Sequence, residues 1–357
     1  MSSSPARAFT YTGLPARVVF GTGTLAQVRG EVERLAVSRA LVLTTPAQLA
    51  HGRAVVELLG DRAAGMFNRA TMHTPVDVTV AALAVMRELA ADGVVAIGGG
   101  STTGLGKAIA VRTGVPQLAI PTTYAGSEMT PVVGETEAGR KTTRRSLDIL
   151  PETVIYDIEL TLGLPAALSG TSGINAIAHA VEALYAQDAN PITSLMAEQG
   201  IAALARALPA IAADPGDRAA RGDALYGAWL CGVCLGAVGM ALHHKLCHVL
   251  GGSFDLPHAE THTVLLPHAV AYNAAAAPDA MARVAHALGA TGAATGLHAL
   301  ARAVGAPRSL AELGMPAGGL DRAADLAVAN PYWNPRPLER AAIRDLLERA
   351  YTGAPPR

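Results

Sequence analysis

Apolar positions along the chain fall into two regimes. In the first, short runs rich in β-forming residues recur: Arg17 to Phe20, Ala40 to Thr45, Gly65 to Phe67, Gly93 to Ile97, Gln117 to Ile120 and Thr153 to Asp157. Runs that are apolar without alternation predict strands covered on both faces, as in a parallel sheet. Segments of helical periodicity lie between them. They predict a helix through Arg34 capped by Thr24, and helices over Ala47 to Leu59, Val76 to Ala91 and Thr103 to Arg112. His73-Thr74-Pro75 reads as a loop, and the polar stretch Thr136 to Arg145 as a hairpin or loop. The alternation predicts a doubly wound, Rossmann-like α/β domain over residues 1–158.

The second regime, residues 159–357, shows only helical periodicity, rich in Ala and Leu, and predicts an all-α domain. One run inside it, Ala224 to Leu242, carries no charge and has the length of a membrane span. An all-round apolar helix also suits the centre of a helical domain. Its four glycines suit close packing, and it leads straight into a histidine-rich stretch, so the buried reading is taken. Cys231 and Cys234 lie within it and read as small core residues.

Half of the 357 residues are hydrophobic, enough for two cores. Net charge is −1 with no basic block, which argues against nucleic acid as a partner. The start, MSSSPARAFTYTG, has no apolar signal segment, and three cysteines make no disulfide framework. A cytoplasmic location is expected.

Candidate chemistry concentrates in Ala241 to Val270, which holds six of the eleven histidines: His243, His244, His248, His258, His262 and His268. On a helix His244 and His248 share a face. Gly251 and Gly252 are expected to stop that helix, so that the chain turns back to present His258. Asn175 and His179 repeat the four-residue spacing, and with His244 and His258 they read as four corners of one site. Metal binding and acid–base work both suit such a cluster, and spacing does not choose between them. Gly98-Gly99-Gly100-Ser101 follows a strand and opens a helix, as at a dinucleotide pyrophosphate site; a tight turn is the plainer alternative. Thr122 and Thr123, Thr44 and Thr45, and Asn68 follow strands on the same rim, where ligands of open α/β sheets bind. Thr45 stands where an acidic residue usually selects NADH, so NADPH is expected to be tolerated beside NADH. Lys141 is a further candidate for a cofactor phosphate or ribose, or else a solvated loop lysine; Glu128 reads as a cap or a loop-ordering group.

The phrases GGGS, PTTYAGSEMTP, GINAIAHAVEALYA and HHKLCHVLGG with a following PH resemble the iron-containing alcohol dehydrogenase superfamily end to end. YTGLPARVVFG, GGGSTTGLGKAIA and NPYWNPRP are closest to a branch whose members reduce the carbon–carbon double bond of maleylacetate without a metal. The resemblance implies an active site in a cleft between the two domains, NADH or NADPH as cofactor, a dicarboxylate substrate and a homodimer. Metal-dependent members use one aspartate and three histidines, which match Asn175, His179, His244 and His258. An amide is a poorer ligand than a carboxylate, so no metal is expected and the histidines are assigned to the substrate. Tyr124 and Arg336 join His244, His248 and His258 as candidates for holding substrate oxygens.

Overall fold

The structure, a computed structural model, describes residues 9–138, 140–330 and 332–357, the side chain of Lys141 excepted. Six strands form one parallel sheet: β1 (Arg17–Gly21), β2 (Ala40–Leu43), β3 (Ala63–Phe67), β4 (Gly93–Gly98), β5 (Gln117–Pro121) and, after a separate hairpin, β8 (Thr153–Asp157). The order across the sheet is β1-β8-β5-β4-β2-β3. Every residue of β2, β4, β5 and β8 is buried. Two cores explain why. Val42, Val95, Ile97, Leu118 and Ile120 pack with Val28, Val32, Val55 and Leu59 of α1 (Val28–Arg34) and α2 (Leu49–Leu59). Their neighbours Leu41, Leu43, Val94 and Ala96 pack with α3 (Val76–Glu88) and α4 (Gly100–Thr113) on the other face. Alternate side chains thus serve opposite helix layers, and the sheet is doubly wound. The polar stretch after β5 is the hairpin of β6 (Val132–Glu137) and β7 (Arg140–Arg145).

After β8 the regular structure among the described residues is helical: α5 (Ala166–Leu184), α6 (Pro191–Ala213), α7 (Arg218–Ala237), α8 (Leu242–Phe254), α9 (His258–Asn273), α10 (Pro278–Leu288), α11 (Ala293–Ala303), α12 (Leu320–Ala329) and α13 (Arg340–Thr352). The core around α5, α6 and α7 continues into Tyr124, Met129, Val154 and Tyr156 of the sheet region, so the seam between the halves is itself apolar.

Three sequence expectations are corrected. Thr24 does not cap α1; its hydroxyl bonds the carbonyls of Gly21 and Tyr156, and a 3-10 turn over Thr24–Gln27 precedes the helix. The apolar run Ala224 to Leu242 is not one helix: α7 ends at Ala237, and α8 sets off at 93° to it. No single helix among the described residues is long and apolar enough to cross a membrane. Gly251 and Gly252 lie inside α8, which stops at Asp255 in the left-handed region (φ 53°).

Candidate active site

The carboxyl ends of β2, β4 and β5 lie side by side on one rim. From β2 the chain builds β3 on one side and β4 on the other, which makes the β2–β4 crevice the topological switch point. Gly98-Gly99-Gly100 joins β4 to α4 there. Gly98 has φ 153°, and a Cβ on it would come within 2.7 Å of the Gln48 side-chain oxygen. On Gly99 it would meet Thr123 at 3.1 Å. The bare backbone and the amino end of α4 form the cradle that a pyrophosphate fits. Gln48, which sequence reasoning missed, donates to Thr122 Oγ1 at 2.7 Å and spans the rim from β2 to β5. Thr45, Asn68, Ser101 and Thr123 are half-buried on it. Thr44 is fully buried, and its hydroxyl donates to the Gln48 carbonyl. The Lys141 side chain lies outside the described residues.

The segment after β5 carries the rim toward the helical half. Lys107, fully buried on α4, donates to the carbonyls of Ser127, Thr130 and Val132 and to Thr130 Oγ1. Burial pulls its ammonium down to about 7. Glu128 accepts from the Tyr156 hydroxyl at 2.7 Å, which is the loop-ordering role. Gly126, at φ 79°, lies so close to α7 and α5 that a Cβ would stand 3.1 Å from Gly232 Cα and 3.4 Å from His179 Nδ1. The rim after β5 therefore abuts the histidines. Tyr124 does not join them: it is fully buried and its hydroxyl faces Arg221 at 3.5 Å.

α5 presents Asn175, His179 and Glu182 on one face, all buried. α8 brings His243 and His244, and α9 brings His258 and His262. The His244 ring lies 5.1 Å from His179, 5.2 Å from His243, 5.0 Å from His262 and 6.5 Å from His248, centre to centre. The His258 ring lies 4.2 Å from that of His262, tilted 54° to it. His248 and His258 are exposed, whereas the others are buried. The expected corners thus converge, joined by His243 and His262. Arg336 does not reach them. Its guanidinium sits 4.1 Å over the Tyr272 ring and donates to the Tyr272 carbonyl, so it braces the far end of α9. From the same loop, Asn334 bonds the Leu242 amide and Asn273.

Glu182 organises the cluster. Its carboxylate accepts from the amides of Ala241 and His243 and from His244 Nδ1, each at 2.8 Å, and from the Tyr185 hydroxyl at 3.3 Å. Capturing two amides at the start of α8 explains the bend after α7. Burial pushes the Glu182 carboxyl up, an effect that His243 and the backbone amides around it offset only in part. With a carboxylate on Nδ1, His244 is the tautomer whose Nε2 offers a lone pair. That Nε2, Asn175 Oδ1 and His179 Nδ1 are buried without a protein partner. Leaving such atoms unmet costs ~1–3 kcal/mol each, which marks a place built for a ligand. Burial first, then neighbouring histidines, hold His179 and His244 well below the ordinary imidazole range, so both are neutral near pH 7. The signal for Glu182 was legible as the only charge within GINAIAHAVEALYA, on the helical face of Asn175 and His179.

A glycine-lined strand-to-helix turn at the switch point, beside a buried histidine cluster, is an arrangement that suits a nicotinamide-dependent oxidoreductase. Residues 15–158 match the iron-containing alcohol dehydrogenase family, and residues 169–351 its C-terminal part, so the chain belongs to that family. Maleylacetate reductase of Rhizobium sp. (strain MTP-10005) is 60% identical over 98% of this chain and 99% of its own length. That of Burkholderia cepacia is 59% identical over 98% and 99%. The crystal structure of maleylacetate reductase from Agrobacterium tumefaciens, 60% identical, superposes with a TM-score of 0.95 over 98% of this chain and all of that one. The family's name implies iron, and the residues do not fit that ligand set well. Asn175 supplies an amide where an anion would compensate the metal, and the nearby Glu182 carboxylate is already engaged.

Proposed function

We propose that this chain reduces maleylacetate to 3-oxoadipate with NADH or NADPH, without a catalytic metal. The observation that carries the metal-free reading is the pairing of neutral, Glu182-oriented His244 with Asn175 in one buried site. The bound nicotinamide supplies a hydride. Hydride addition to the alkene carbon β to the ketone moves the π electrons onto the ketone oxygen as an enolate, and the α carbon then takes a proton. Stabilising that oxygen needs hydrogen-bond donors held in place; the Asn175 side-chain NH2 is one, and His244 becomes one once the dianion draws a proton onto its Nε2 lone pair. Neutral histidines also admit a dianion and gain proton affinity beside it, which suits one of them to deliver the proton. His179, His244, His248 and His258 are the residues proposed for these roles. The division of labour puts nucleotide binding in residues 1–158 and substrate in 159–357. We further propose a cytoplasmic homodimer; its support is three free cysteines and the outer edge of β1, unpaired among the described residues.

The test uses nicotinamide deuterated at the transferred position. Deuterium on the carbon β to the ketone of 3-oxoadipate is expected. Deuterium on a carbinol carbon, with the double bond retained, would make the enzyme a ketone reductase and overturn the reading.

A further inference from the structure

His262 and His243 were not among the residues matched to the family's metal positions, yet they lie deepest in the cluster. Both are fully buried, and burial together with the neighbouring imidazoles keeps both neutral near pH 7. His243 Nε2 lies 3.0 Å from the His262 carbonyl, which can only accept, so Nε2 carries the proton and Nδ1 the lone pair. His244 Nδ1 is tied to Glu182, so its lone pair is on Nε2. Neither of those lone pairs has a protein partner, and His262 has none on either nitrogen. One nitrogen from each of the three rings lies within 4.8 Å of the others, the one such His, Cys, Asp or Glu grouping among the described residues. Two of the rings have their tautomer fixed by an acceptor on one nitrogen, the arrangement that orients metal-binding histidines.

We propose that His243, His244 and His262 form a site for a borderline divalent ion such as zinc, sharing only His244 with the family's set at Asn175, His179, His244 and His258. Three neutral imidazoles suit zinc and leave a coordination position open. Zinc here takes His244 Nε2 away from the substrate and inhibits turnover, a consequence that rests on the metal-free reading above.

The test titrates metal-free enzyme with zinc against a chromophoric chelator and records zinc-edge X-ray absorption on the loaded wild type. Three imidazole nitrogens at about 2.0–2.1 Å are expected. His262→Gln and His243→Gln, with folding checked by circular dichroism, should each weaken zinc binding at least about tenfold. His258→Gln should leave zinc affinity unchanged. Loss of zinc in His258→Gln with retention in His262→Gln, or fewer than two imidazoles in the absorption spectrum, would overturn the site. Zinc bound at the three rings that activates the enzyme would instead overturn the metal-free reading.

Discussion

Replacing Glu182 with glutamine tests the residue on which the site is hung. The two carboxylate oxygens divide four donors between them. One receives the Ala241 amide and His244 Nδ1; the other receives the His243 amide and the Tyr185 hydroxyl. An amide group turns one of those oxygens into a donor. In either orientation a backbone N–H then faces an N–H in a fully buried site, at a cost of ~1–3 kcal/mol. With the amide nitrogen toward His244, the ring must take the other tautomer and its lone pair leaves Nε2. Loss of such an orienting partner typically lowers activity by about 10–100-fold. The assay follows the absorbance of reduced nicotinamide with maleylacetate, beside thermal melts and a fluorescence titration of NADH. A fall in kcat of that size, with NADH affinity within about twofold of wild type, is expected. An unchanged kcat in folded Glu182→Gln would refute the idea that this carboxylate sets the working state of His244.

Three further outcomes are expected. Gly99→Val puts branched atoms where even a Cβ lies 3.1 Å from Thr123, and should raise the NADH dissociation constant at least about tenfold with little change in melting temperature; unchanged NADH binding would remove Gly99 from the cofactor cradle. Asn175→Asp supplies the anionic ligand the family's metal set lacks, and should raise zinc affinity even in a His262→Gln background; unaltered metal content after reconstitution counts against that role. His268, held down to about 4 by burial and by His298, binds its proton more readily unfolded than folded. Its contribution is therefore complete above about pH 6.5 and lost as pH falls toward 4, by about 3 kcal/mol. Melts from pH 7 to 4.5 should show a shallower decline for His268→Asn than for wild type, and parallel curves would contradict the assignment.

The strands of the main sheet were legible because a parallel sheet leaves no exposed face to dilute the apolar signal, as in GVVAI and QLAI. Local periodicity could not locate the break between α7 and α8, which a carboxylate on a distant helix creates. Gly251 and Gly252 misled for a related reason: packing carries the helix past them, and Asp255 takes the left-handed turn. At the site, the spacing of Asn175 with His179 and of His244 with His248 was enough to anticipate the convergence. The partners that select tautomers, Glu182 and the His262 carbonyl, are properties of tertiary contact. Tyr124 and Arg336 were chosen for chemistry suited to a dicarboxylate, but their backbone positions send them to Arg221 and Tyr272. Thr44 has the right place in sequence, and its hydroxyl turns inward to the Gln48 carbonyl.

The most direct measurement is turnover of freshly prepared maleylacetate with NADH by enzyme stripped with a chelator and then freed of it. Full activity, neither restored nor raised by added iron or zinc, is the predicted result. Activity lost on stripping and recovered with either ion would contradict the central claim that this site works through oriented imidazoles and an amide.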